Sequence, residues 1–250
     1  MGKLLLEAPV YTLEAALLAA EYGIDRLELC ADYGEGGTTP GAGMLEFLKS
    51  RIQLPVFAMI RPRGGDFVYS QEELEVMKKE ISLLKSCGAD GFVFGALEPQ
   101  GKVHSDACSF LIEMADGLPC TFHRAFDASV HLEDSLEIII GCGFKRILTS
   151  GGKNTVTEGL DRIRDLLLQA QGRIIIMPGG GTEPRHIKTL YDTGFLREIH
   201  ASCKTFRLSH STYFNPYLKL SGGRESPDKV LTLDKALVVA FHREMNGLHQ

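Results

Sequence analysis

The chain lacks paired cysteines, a long apolar run, an excess of basic charge and a glycine-rich GxGxxG turn. Each absence removes a class of function. Its six cysteines, at 30, 87, 108, 120, 142 and 203, stand singly with no CxxC, which argues against a zinc ribbon or a thioredoxin-type redox site. They read as reduced, buried, small hydrophobes. Apolar runs such as IIIM at 174–177 fall far short of the roughly 20 residues of a membrane span. With a net charge of −5, no basic field recruits nucleic acid or an anionic membrane. The opening MGKLLLEA has neither a signal-peptide layout nor a hydroxyl at position 6 for myristoylation, so a cytoplasmic location is expected.

What the chain does have is alternation. Short β-branched or apolar runs recur as LLLEA (4–8), RLELC (26–30), VFAMIRPR (56–63) and GFVFGAL (91–97). They continue as CTFHRAF (120–126), RILTSG (146–151), RIIIMPGG (173–180) and EIHASC (198–203). Segments of helical period lie between them, for example EELEVMKKEISLLKSCG (72–88), and several stop at a glycine. SQEE (70–73) and TEPR (182–185) read as helix caps.

Eight β/α units in 250 residues predict an α/β protein, a single-domain (β/α)8 TIM barrel over 1–250. A polar insertion at about 204–227 precedes a closing helix, and its aromatics also suit a dimerisation arm. An open doubly wound sheet is the alternative, but it usually carries a glycine-rich turn after its first strand, where this chain reads EAPVYT.

Side chains alternate along a strand, so parity assigns faces. The outward face must be apolar to pack on helices, which turns Glu7, Glu28, Arg61, His123 and His200 inward, late in their strands, with Arg63 on the same parity as Arg61. They should converge at the C-terminal mouth of the barrel, where active sites are built. Arg124 has the other parity, and Asp127 lies beyond the strand, placed to pin it at the rim. Glycines in LTSGG (148–152) and MPGGGTEPR (177–185) let backbone amides approach an anion near the last two strands. Gly179, Gly180 and Gly181, with Thr149, His200 and Ser202, are therefore candidate anion-binding residues, and Arg61 and Arg63 could grip the anion's far end.

The motifs DRLELC (25–30), EGGTTP (35–40), MIRPRGGDFVYS (59–70), GADGFVFGAL (88–97), TFHRAFD (121–127), RILTSG (146–151), MPGGG (177–181) and EIHAS (198–202) occur in this order over about residues 3–205. In this the chain resembles the CutC family, proteins associated with copper homeostasis. The resemblance implies a β/α barrel, a cytoplasmic location, a homodimer or higher homo-oligomer, and an association with copper. Cu(I) prefers soft thiolate and thioether ligands, and Cys30 is the cysteine that falls within a matched motif on the inward parity. Where some members carry a cysteine after the first-strand glutamate, this chain has Ala8-Pro9, so a cysteine pair between strands one and two is lost.

Three readings follow. In one, the protein handles copper, with Cys30 and neighbours such as Met59 and His123 binding Cu(I) weakly. In another, it is a metal-independent barrel enzyme of lyase, isomerase or hydrolase type. His123 would then be the general acid or base, partnered by Glu7 or Glu28, acting on a small phosphorylated or carboxylated metabolite. In the last, the mouth cluster is a salt-bridged plug in a protein without chemistry.

Overall fold

A computed structural model describes residues 3–215, 217 and 228–248. The strands and helices alternate as the sequence predicts. The first half runs β1 (Leu5–Val10), α1 (Leu13–Tyr22), β2 (Arg26–Leu29), α2 (Ala42–Lys49), β3 (Val56–Met59), α3 (Gln71–Ser86), β4 (Gly91–Phe94) and α4 (Ser105–Ala115). The second half runs β5 (Cys120–Phe122), α5 (Leu132–Cys142), β6 (Arg146–Thr149), α6 (Val156–Ala170), β7 (Ile175–Pro178), α7 (His186–Tyr191) and β8 (Glu198–His200). A hairpin of β9 (Lys204–Leu208) and β10 (Lys229–Leu233) then leads into α8 (Lys235–Gly247).

Eight parallel strands pair in the order 7-6-5-4-3-2-1-8. The two ends of that order, β7 and β8, pack against each other with no ladder between them among the described residues. The result is the predicted (β/α)8 barrel. Outward residues such as Leu6, Ala8, Leu27, Leu29, Val56 and Ala58 are fully buried in the shell between strands and helices. Helix α3 shows the local logic. Ser70 and Glu73 form a reciprocal capping box, and Leu74, Met77, Ile81 and Leu84 turn one stripe onto the sheet.

Two strands end earlier than their apolar runs suggest. β3 stops at Met59 because the Arg61 amide donates to Thr39 Oγ1 at 3.0 Å and Pro62 has no N–H to give. Arg61 and Arg63 therefore sit in the loop, not on the strand. β5 stops at Phe122, and His123 caps a 3-10 turn over Arg124–Ala128 by accepting the Ala125 amide on Nδ1 at 3.3 Å. The TEPR segment does not cap. Thr182 Oγ1 donates back to Pro178 O at 3.1 Å, and α7 begins only at His186, without a side-chain cap.

Of the insertion predicted at 204–227, residues 216 and 218–227 lie outside the described residues. Its first part is β9, whose hairpin docks on α1 through Glu14. That carboxylate accepts from Arg207 at 2.8 and 2.5 Å and from Thr232 at 2.9 Å. Among the described residues, no helix is long and apolar enough to cross a membrane.

Candidate active site

The barrel interior is charged at its lower level. Glu198 on β8 accepts from Arg26 on β2 and from Arg146 on β6 at 2.9 Å. These strands are not neighbours, so the contacts must run through the interior. Both guanidinium groups lie over the Phe57 ring, 4.7 and 5.0 Å from its centroid, and Thr121 accepts from Arg146 at 3.3 Å. Buried charges persist only when paired and hydrogen-bonded, and this layer meets that condition.

Above it, Glu7 links the network to the mouth. One oxygen accepts from Arg26 Nε at 2.5 Å, the other lies 2.8 Å from His200 Nδ1. Burial alone would raise its pKa, but Arg26 and His200 together hold it near 2. Glu7 thus fixes the His200 ring and directs Nε2 away from itself. That nitrogen is 3.8 Å from Glu28 Oε2, too far for a hydrogen bond. Burial raises the Glu28 carboxyl to about 7, with the Glu7 charge adding to the shift and His200 opposing it. For His200 burial works downward, yet Glu28 and Glu7 outweigh it and the net shift is upward. Glu28 Oε1 is buried without a hydrogen-bond partner.

These groups meet a cavity of about 280 Å³ at the C-terminal mouth. Of the residues singled out in the sequence, Glu28, Met59, Arg61, His123, Arg124, Gly180, Gly181, His200 and Ser202 line it. His123 is 3% exposed, with Phe67 tilted over it at 4.8 Å between ring centroids. Its Nδ1 accepts the Ala125 amide, which places the proton of the neutral ring on Nε2, and that N–H is buried without a partner. Burial, reinforced by the Arg61 charge, pushes its pKa down to about 3. His123 is therefore a neutral hydrogen-bond donor at ordinary pH. Glu28, its carboxyl raised to about 7, is the cavity group placed to gain and lose a proton near pH 7.

The other candidates stand behind or beside the cavity. Glu7 sits behind His200. Arg63 is held by Glu73 at 2.6 Å and by Asp66 and the Val68 carbonyl, outside the cavity wall. Thr149 donates to Asp127 at 2.5 Å, and the Gly179 amide is spent on Thr149 O. Arg61 lines the cavity, but its guanidinium staples loops by donating to the carbonyls of Glu35, Gly37 and Gly65 at 2.6, 2.9 and 2.9 Å.

Two cations at the rim escaped the parity argument. Arg124 is pinned by Asp127 at 2.8 Å and bonds Ser150 Oγ at 2.6 Å, yet it also lines the cavity. Its Nη1 lies over Gly180, where an added Cβ would stand 2.9 Å from it. Lys204, the first residue of β9, also lines the cavity and rests 4.5 Å over the Tyr33 ring.

A Cu(I) centre does not fit the donors present. Cys30 is buried, and burial together with Glu28 and Glu7 raises its thiol pKa well above the ordinary value, so thiolate is disfavoured. Met59 is the sulfur beside it: a Cβ added at Gly37 would stand 3.3 Å from Cys30 Sγ and 3.5 Å from Met59 Cε, but no second cysteine joins this small cluster among the described residues. Among the described residues, the ones whose donor atoms lie within 4.8 Å of one another are Glu7, Glu28 and His200, a hard oxygen-nitrogen set unsuited to Cu(I). Both Glu7 oxygens in that set already accept from Arg26 and His200.

Comparison with known proteins places the chain. The CutC family model matches residues 4–205. The human copper homeostasis protein cutC homolog is 46% identical over 211 residues, 84% of this chain and 77% of its own length. A CutC family protein of Agrobacterium fabrum is 39% identical, covering 93% of this chain and 91% of that one. A crystal structure of CutC from Streptococcus agalactiae superposes with a TM-score of 0.74 at 30% identity, covering 80% of this chain and 98% of that one. An aldolase at 17% identity and TM-score 0.59, over 78% and 89% of the two chains, shares the barrel fold alone. On the matched length and the identity of its relatives, this chain belongs to the CutC family.

Proposed function

We propose that the barrel mouth binds a small anionic metabolite and transfers a proton on it with its own side chains, as a lyase, isomerase or hydrolase does. The observation that carries this is the Glu28–His200 pair. Two ionisable groups 3.8 Å apart line one cavity, with the carboxyl held near 7, where a proton is exchanged most effectively. Ionisable groups tuned against each other in a cleft are the usual material of acid–base catalysis. At the rim, Arg124 and Lys204 supply positive charge beside Gly180 and Gly181. At about 280 Å³ the space lies just below the ~300 Å³ where drug-sized sites begin, which favours a short metabolite over a nucleotide.

Thermal shift and calorimetry with inorganic phosphate, small carboxylates and triose phosphates test the reading. Stabilisation by at least one of these, lost in Arg124→Met, is the expected result. Failure of every anion to bind would end it.

The family's link to copper supports a competing reading, in which Cys30 and Met59 hold Cu(I). Titration with Cu(I) against a competing chelator separates the two. The buried, protonated thiol predicts the same affinity for wild type and Cys30→Ser. A clear loss in the variant would restore the copper site.

A further inference from the structure

Three residues that line the cavity carry a buried polar atom without a partner: Arg61 Nε, on a guanidinium whose other nitrogens bond loop carbonyls, and a pair of opposite kind, the N–H on His123 Nε2 and the oxygen Glu28 Oε1. A buried donor or acceptor left unpaired costs about 1–3 kcal/mol, so a pair facing one small space calls for an explanation by what enters it. One is a donor with its tautomer fixed by the Ala125 amide. The other belongs to a carboxyl whose second oxygen faces His200 Nε2, on a ring that Glu7 holds in place.

We infer that the site enolises a short carbonyl compound that carries a hydroxyl on the neighbouring carbon and an anionic group at its far end. This rests on the anion-binding reading above and deepens it. The anion sits between Arg124 and Lys204 at the rim, which directs the carbonyl inward. Glu28 removes a proton from the carbon beside the carbonyl. The electron pair of that C–H bond becomes a C=C bond, and the carbonyl π pair moves onto oxygen. His123 Nε2–H donates a hydrogen bond to that oxygen as its charge grows, and keeps its proton. Returning the proton from Glu28 to the former carbonyl carbon, while the hydroxyl proton passes to the enolate oxygen and the O–H pair becomes the new C=O bond, gives the isomer, and returning it to the first carbon regenerates the substrate. Atoms and electrons balance without oxidant, reductant or added group.

The division of labour follows from the surroundings of each ring and carboxyl. A histidine that does not become imidazolium at ordinary pH polarises a carbonyl without delivering its proton prematurely. Glu28 lines the cavity with one oxygen unpaired and the other 3.8 Å from His200 Nε2, placed to take up a proton from a bound molecule and return it. His200, in turn, stabilises the carboxylate whenever it forms. His200 acts through Glu28 and is a positioning residue, as is Glu7.

The test is deuterium uptake. The full-length protein is incubated in D2O with dihydroxyacetone phosphate or hydroxypyruvate, and loss of the carbon-bound proton signal is followed by NMR. Binding of each probe is measured in parallel by calorimetry. The expected result is wild-type exchange that falls at least 100-fold in Glu28→Gln with probe affinity retained. Partial recovery is expected in Glu28→Asp, and a large loss in His123→Phe. Binding of a probe without exchange overturns the enolisation and leaves anion binding standing. No binding of either probe, or of any other anion, removes both. Exchange unaltered in Glu28→Gln overturns the role given to Glu28.

Discussion

Glu28 can be weighed by its effect on stability as well as by chemistry. Its carboxyl sits near 7 in the fold against an ordinary 4.5. Between those values the folded chain keeps a proton that the unfolded chain has released, so raising the pH favours unfolding. The stability Glu28 contributes is complete below about 4.5 and lost by about 7. His200, also raised, acts in the same sense above its ordinary 6.5. Glu7, near 2, acts oppositely and below 4.5, and so does His123 between about 3 and 6.5. These overlaps blur the whole-protein profile, so the useful quantity is a difference. In urea titrations across pH, Glu28→Gln should gain on wild type steadily from pH 4.5 to 6.5, below the window in which His200 contributes. A difference that stays flat with pH would mean that Glu28 ionises as an exposed carboxylate does. The groups facing Glu28 (His200, Glu7, Cys30 and Arg26) remain in both proteins.

Strand parity made Glu7, Glu28, His123 and His200 legible in the sequence, because period-2 alternation is a property of the backbone itself. It could not find Arg124 or Lys204. Both lie past the strand ends, where a 3-10 turn and a hairpin replace the alternation and only the folded loop decides direction. For the same reason the alternation aims Arg61 and Arg63 at an anion, whereas the folded loop spends them on its own carbonyls and carboxylates.

At the scale of elements, the rim depends on how closely a helix can approach a loop. Asp127 organises that loop by accepting from Thr149 Oγ1, the Ser150 amide and the Gly152 amide, and Arg124 bonds both Asp127 and Ser150. Helix α6 lies so near that a Cβ on Gly159 would stand 1.9 Å from Ser150 O. Backbone cannot give way as a flexible side chain can. Gly159→Ala should cost about 1–3 kcal/mol, the usual range for overpacking, and should weaken phosphate binding by displacing Arg124. Gly141 in α5 makes the control, since a Cβ there meets nothing within 4 Å. Alanine at that position should be neutral or gain about 0.5–1 kcal/mol of helix stability. Equal behaviour of the two variants in denaturation would show that the α6 contact is unimportant. The glycines of the βα loops were visible in the sequence, but this one read as an unremarkable member of a helix. Nothing local to it reveals a carbonyl that arrives from residue 150.

Across the whole molecule, the polar layer below the cavity does structural work that the sheet leaves undone. Hydrogen-bonded ladders run round the barrel from β7 to β1 and on to β8, and the seam between β8 and β7 has none among the described residues. Glu198 on β8 reaches across the interior to Arg146 on β6, the strand on the far side of β7. Arg26 meets the same carboxylate and touches Met177 of β7 at 3.6 Å. The ring is thus closed at the seam by side chains rather than by backbone. Replacing Glu198 by glutamine leaves two buried guanidinium groups with one carboxylate, Glu7, between them. Loss of one partner from a buried pair costs about 3–5 kcal/mol, and a drop of that order in the urea unfolding free energy is expected for Glu198→Gln. The sharper readout is local. If the network closes the barrel, amide exchange should quicken first along β7 and β8, ahead of β2 to β5, because the seam opens without breaking a ladder. Uniformly faster exchange in all eight strands would mean that Glu198 contributes to overall stability without closing the ring.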